Sequence, residues 1–129
     1  MDDIVRNTTR VLEKYERQVL FAYLFGSSAR GESTPSSDVD LAVFFAGGTR
    51  EAYFETRPSL YADLCRALKR NDVDVVVLNT AVNLVLLEEI VRTGVVLYDR
   101  GPEMRTVFEL ETLHRSLDFK SQRLAVLGV

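Results

Sequence analysis

Residues 24–44 read L-F-G-S-S-A-R-G-E-S-T-P-S-S-D-V-D-L-A-V-F, and this stretch limits the fold more than any other. An apolar run of strand length, residues 18–25, ends at Gly26, and a polar loop containing Pro35 follows. A second apolar run opens on Asp38 and Asp40 and continues to about Phe45, where Gly47 and Gly48 end it. Side chains of a strand alternate faces, so Asp38 and Asp40 share one side while Val39, Leu41 and Val43 take the other and can be buried. Two carboxylates about 4 Å apart repel by roughly 4 kcal/mol at an effective dielectric of about 20. Such a pair shares a proton or binds a cation, and oxygen ligands alone favour a hard ion such as Mg²⁺ over zinc.

The loop before the aspartates suits a phosphate. Gly26 permits close approach of backbone, and Ser27 offers a hydroxyl and an N–H. A short helix beginning within residues 28–31 would turn its N-terminus toward an anion beside the carboxylates, and Arg30 would add a guanidinium fork. Taken singly, a Gly-Ser cluster and an Asp at the start of a strand are ordinary turn formers. Their order and spacing are what point to a site.

Around this centre the pattern alternates between helix and strand. Ile4, Val5, Thr8, Val11, Leu12 and Tyr15 recur at helical spacing, which makes the opening segment an amphipathic helix. Residues 50–70 are helical in pattern but contain Pro58, so two helical pieces are expected, with Leu60, Tyr61, Leu64, Cys65 and Leu68 as the buried stripe of the second. Cys65 reads as a small core residue. N-D-V-D-V-V-V-L, residues 71–78, is a third strand carrying two further candidate carboxylates, Asp72 and Asp74. Asp74 is the better ligand, because it lies inside an otherwise apolar strand where an unpaired carboxylate is costly; Asp72 reads as a solvated turn residue. Thr80 is expected to cap a helix through Leu84, Leu87 and Ile90 that stops at Gly94. A short strand, residues 95–98, and a turn at Asp99-Arg100-Gly101-Pro102 lead into a last helix, from Glu103 to about Leu124, on which Val107, Leu110, Leu113 and Leu117 recur at helical spacing. His114 and Asp118 lie four apart on that helix, a spacing read here as a surface pair.

Composition narrows the function classes. A chain of 129 residues is one domain by length. Its net charge of −3 argues against a non-specific nucleic-acid binder. One cysteine excludes an internal disulfide, and with one histidine it disfavours a zinc site. No signal peptide and no run of 18 apolar residues is present, so the cytoplasm and no membrane are expected.

Gly26-Ser27, ten intervening residues and Asp38-Val39-Asp40 resemble the G-S-x10-D-x-D signature of the nucleotidyltransferase superfamily that includes the polymerase β palm. The chain is most similar to its small prokaryotic branch, the minimal nucleotidyltransferases (MNT) encoded beside HEPN-domain ribonucleases. Gly26, Ser27, Gly31, Ser37, Asp38, Asp40 and Leu41 match that branch, and Asp74 suits its third carboxylate. Ser28 departs from it, since relatives often carry Arg or an aromatic residue there.

The resemblance implies an α/β (α+β) fold, a mixed sheet flanked by helices, as a single nucleotidyltransferase domain over residues 1–129. It implies ATP as substrate and two Mg²⁺ ions held by Asp38, Asp40 and Asp74, with Gly26, Ser27, Arg30 and Ser37 binding the nucleotide. Asp74 would also help to deprotonate the acceptor. The implied reaction is transfer of AMP to a tyrosine hydroxyl of a HEPN toxin, which makes the chain an antitoxin with a protein partner and no direct role for nucleic acid. Two other classes stand beside it: an antitoxin that only masks the toxin, and a non-catalytic nucleotide-binding regulatory module. The apolar tail, residues 125–129, either frays or covers a partner surface.

Overall fold

The computed structural model describes residues 2–26 and 38–126. Eight elements follow one another: α1 (Asp2–Lys14), β1 (Val19–Phe25), β2 (Val39–Phe45), α2 (Arg50–Leu68), β3 (Val73–Val77), α3 (Leu84–Thr93), β4 (Val95–Asp99) and α4 (Pro102–Val126). Among the described residues the strands form one sheet in the order β3-β2-β1-β4. β2 and β3 are parallel, joined by the α2 crossover that a parallel pair requires. β1 pairs antiparallel with both β2 and β4, so the sheet is mixed, as expected.

Each face of the sheet is covered by helices. Val11 and Leu12 of α1 and Leu60 and Leu64 of α2 pack against Val19, Leu24, Leu41, Val43, Val73 and Val75. On the other face Phe21, Tyr23, Phe25, Ala42 and Leu78 meet Leu87 and Ile90 of α3, with Phe108 of α4 at the margin. Val19 and Phe21 are two apart yet serve opposite faces, because the β1–β2 register shifts between them. Burying each such large apolar side chain stabilises the fold by about 1.5–3 kcal/mol.

Local chemistry departs from the sequence reading in three places. First, α2 is one helix rather than two pieces, with Pro58 inside it. Pro58 and Phe54 are both exposed, so the Phe54 carbonyl left without an intrahelical donor lies on the solvent side, while Leu60 and Leu64 hold the helix to the sheet. Second, Tyr61 leaves the buried stripe and donates its hydroxyl to the Asn71 carbonyl at 3.1 Å. Cys65 is partly buried against the core, as expected.

Third, Asn83 rather than Thr80 caps α3, since its Oδ1 accepts from the N–H groups of both Val85 and Leu86. Gly94 ends that helix as expected. On α4, where the apolar residues recur at helical spacing as expected, Val107, Leu110 and Leu117 face solvent. The face toward the protein carries Phe108 and the fully buried Thr112 and Ser116. No helix among the described residues is long and apolar enough to cross a membrane.

Candidate active site

The parallel register of β2 and β3 sets Asp40 opposite Asp74. Neighbouring strands lie about 4.8 Å apart and register partners share a face, so both carboxylates stand on the α3 side of the sheet, at the end where β2 begins. Asp38 precedes β2 by one residue and is exposed. The β1–β2 register sets Phe25 opposite Asp40, which brings the next residue, Gly26, against the Asp40 side chain. Gly26 has φ +74, in the left-handed region, and a Cβ at this position would overlap Oδ2 of Asp40. Glycine is thus required twice over, by conformation and by space.

The electrostatics agree with this crowding. Burial pushes the Asp40 carboxyl above the usual carboxylate range, and the negative charges of Asp74, Asp38 and Glu89 push it further. Three of these four residues are the aspartates singled out in the sequence. Glu89, partly buried on α3, is the one that sequence reasoning missed. Its neighbour Glu88 looks the same in the sequence but is occupied elsewhere, accepting from Ser116, Arg92 and Lys120.

Asp72, read as the weaker of the two β3 candidates, is engaged next to the strand's entrance. It pairs with Arg70, whose Nη2 lies 2.6 Å from Oδ2, and the hydrogen bond from Arg70 holds its carboxyl below the usual range. Asp74 keeps its place by register, but the cost argument made for it does not hold: β3 is an edge strand and solvent reaches the side chain. His114 and Asp118 are both exposed on α4. Ser27, Arg30 and Ser37, the helix expected within 28–31, and the tail beyond 126 lie outside the described residues.

Among the described residues no three His, Cys, Asp or Glu side chains are clustered tightly enough to enclose a metal ion as they stand. What they present is an oxygen-only set whose mutual repulsion a hard divalent cation would relieve, and in that chemical sense Asp38, Asp40 and Asp74 fit Mg²⁺. A cavity of about 430 Å³ lies elsewhere, against the outer side of β3 between Tyr53, Phe54, Arg57 and Val75. There Arg57 Nε donates to the Val75 carbonyl at 3.0 Å, closing part of the open sheet edge.

Residues 6–103 match the family of polymerase beta nucleotidyltransferases. No curated protein matches the chain. A chain in the crystal structure of a toxin–antitoxin complex with AMP-PNP is 27% identical, with a TM-score of 0.75 over 96% of this chain and 95% of that one. A chain in the complex of tri-AMPylated Shewanella oneidensis HEPN toxin with MNT antitoxin is 25% identical, with a TM-score of 0.69 over 97% and 93%. A chain of the MntA–HepT toxin–antitoxin complex is 25% identical, with a TM-score of 0.70 over 99% and 97%. With the glycine notch, the paired strand aspartates and three quarters of its length matched, the chain belongs to the polymerase β nucleotidyltransferase family and is a nucleotidyltransferase.

Proposed function

We propose that this protein is the antitoxin half of a toxin–antitoxin pair and that it transfers AMP from ATP to a tyrosine hydroxyl of a HEPN-domain toxin, in the cytoplasm and with Mg²⁺ as cofactor. The observation that carries the reading is the register that sets Asp40 opposite Asp74, with Gly26 against the Asp40 side chain and Asp38 two residues before it. Similarity along nearly the whole chain to complexes that hold AMP-PNP or an AMPylated HEPN toxin supports the choice of nucleotide and acceptor.

Asp38, Asp40 and Asp74 would hold two Mg²⁺ ions, which when bound activate the attacking oxygen and stabilise the leaving one. The remaining work belongs to the chain. Gly26 keeps the space beside Asp40 clear of any side chain, so a phosphate group can lie against backbone. Ser27, Ser37 and Arg30 are proposed to hold the triphosphate. Asp74, exposed on the edge strand, is open to an acceptor carried by another protein. It orients the hydroxyl and takes its proton while the oxygen bonds to the α-phosphorus, the bond from that phosphorus to the β-phosphate bridge breaks, and pyrophosphate leaves.

The test is intact-mass analysis of the toxin after incubation with ATP, Mg²⁺ and this protein. The parent should add adenylyl groups, and Asp40→Asn should slow the transfer on the order of 10³-fold while still binding the toxin. A masking-only antitoxin is the second reading, and the exposed apolar face of α4 is what favours it. Toxin silenced without gain of mass, by Asp40→Asn as well as by the parent, would decide for the mask.

A further inference from the structure

α4 is amphipathic in the wrong direction for a helix that only covers its own sheet. The residues it buries are polar, Thr112 and Ser116, while Met104 (45% exposed), Val107 (47%), Leu110 (54%), Leu117 (56%) and Leu124 (50%) face solvent. Polar contacts do much of the attaching. Ser116 donates to Glu88, Lys120 reaches the same carboxylate at 2.9 Å, Arg105 bridges Asp99 and Glu109 at 2.7 and 2.8 Å, and the buried Tyr23 hydroxyl donates to Glu109 at 2.7 Å. Apart from Phe108, which packs on Phe21 and Phe44, the helix is therefore secured by polar contacts, and Met104, Val107, Leu110, Leu117 and Leu124 remain available on the outside.

The spacing of that outer face says what fits it. Val107, Leu110, His114, Leu117, Ser121 and Leu124 alternate three and four residues apart, with leucine recurring every seventh residue at 110, 117 and 124. This is the 3.5-residue seam that packs against another α-helix. Five large side chains at about half exposure present on the order of 500 Å² of apolar surface, a patch as large as a monomer ordinarily shows. At an apolar share of about 60%, that area corresponds to roughly 800 Å² per partner, a standard stable interface.

Charge selects among helical occupants. Glu111 and Asp118 lie seven residues apart along one flank of the seam, and both are exposed. Pairing with a second copy in the usual two-fold, antiparallel manner would set Glu111 opposite Asp118 on both sides, and the like charges repel. A helix carrying Lys or Arg beside its own apolar seam is matched instead. Resting on the proposed function, we infer that the outward face of α4 is where the toxin partner docks, through one such basic-flanked α-helix.

The experiment measures binding of the HEPN-domain partner to the full chain by titration calorimetry, beside the oligomeric state of the chain alone. Leu110→Glu/Leu117→Glu should weaken toxin binding by at least 100-fold while leaving ATP binding and the thermal midpoint near those of the parent. Adenylyl transfer should then show a raised KM for toxin with little change in kcat. Glu111→Lys/Asp118→Lys should weaken binding about tenfold. Toxin binding by the leucine double variant within threefold of the parent would overturn the assignment, and so would a parent dimer that this variant converts to monomer. Docking through α4 without any gain of toxin mass would sustain this inference and sink the enzymatic one, so the two fail separately.

Discussion

α1 and α4 lie on opposite faces of one sheet and use amphipathy in opposite senses. α1 turns Val11 and Leu12 fully into the core and leaves Asp3, Arg6, Arg10, Glu13 and Lys14 in water. α4 turns Thr112 and Ser116 inward and leaves a leucine seam outside. The difference teaches that apolar periodicity marks the face a helix will bury, but not whether its own chain or another molecule does the burying.

The largest effect expected of this contrast is on stability. Leu12→Ala should cost 2–5 kcal/mol, roughly, because it removes a fully buried side chain and leaves a cavity. Leu117→Ala should stay within about 0.5 kcal/mol of the parent, since nothing in the monomer is vacated. Urea denaturation of both variants in the absence of partner measures the gap. Equal losses would mean that the seam is part of the monomer's core after all.

A second pair of variants tests the polar side of the same comparison. Thr8 is fully buried in α1, and its hydroxyl has no partner among the described residues. Thr8→Val should therefore stabilise the protein by about 1 kcal/mol, because an unsatisfied hydroxyl gives way to a methyl of similar size. Ser116→Ala, which deletes the donor to Glu88, should move the midpoint the other way. If both variants shift the thermal midpoint in the same direction, the two buried faces do not differ as described.

The same contrast explains what could be read without coordinates. Alternation along Asp38-Val39-Asp40 and within 71–78 fixes which carboxylates can share a face, because a strand has a period of two and few ways to violate it. Register then does the rest, setting Asp40 beside Asp74. Glu89 could not be found this way, since its place beside Asp40 depends on how α3 packs, and the sequence of α3 does not separate it from Glu88. Pro58 misled for a related reason: an isolated propensity argues for a break, but packing of Leu60 and Leu64 carries the helix through where the lost hydrogen bond is solvated. Asn83 displaced Thr80 as a cap because either residue type suits the role and only the chain's path decides.

The smallest effects concern pH, and they separate the two helices by the direction in which each is loosened. Glu88, which ties α3 to α4, has its carboxyl lowered from 4.5 to about 2 by hydrogen bonds from Ser116, then Lys120, then Arg92. A carboxyl whose pKa is lower in the folded state contributes its full stability above the unfolded value and loses it as pH falls toward the folded one. The stability gap between parent and Glu88→Gln should therefore be constant near neutrality and close between about pH 4.5 and 2.

At α1 the corresponding tie is Tyr15, whose hydroxyl donates to Asp63 on α2. Burial, then the hydrogen bond to Asp63 and its charge, push the phenol from 10.0 up to about 12. Here the neutral form is the one the fold prefers, so this contribution is present below pH 10 and is lost as the pH rises toward about 12. Asp63 is itself depressed and adds to the acid loss, which leaves the alkaline limb as the diagnostic one. Tyr15→Phe should make that limb shallower, with the part due to the buried Tyr23 remaining, and should remove the Asp63 share of the acid limb while leaving the Glu88-dependent share unchanged. Stability curves from pH 2 to 12 for the parent and the two single variants read both limbs at once, and loss of the whole acid limb in Tyr15→Phe, beyond the share due to Asp63, would show that the two attachments are not independent.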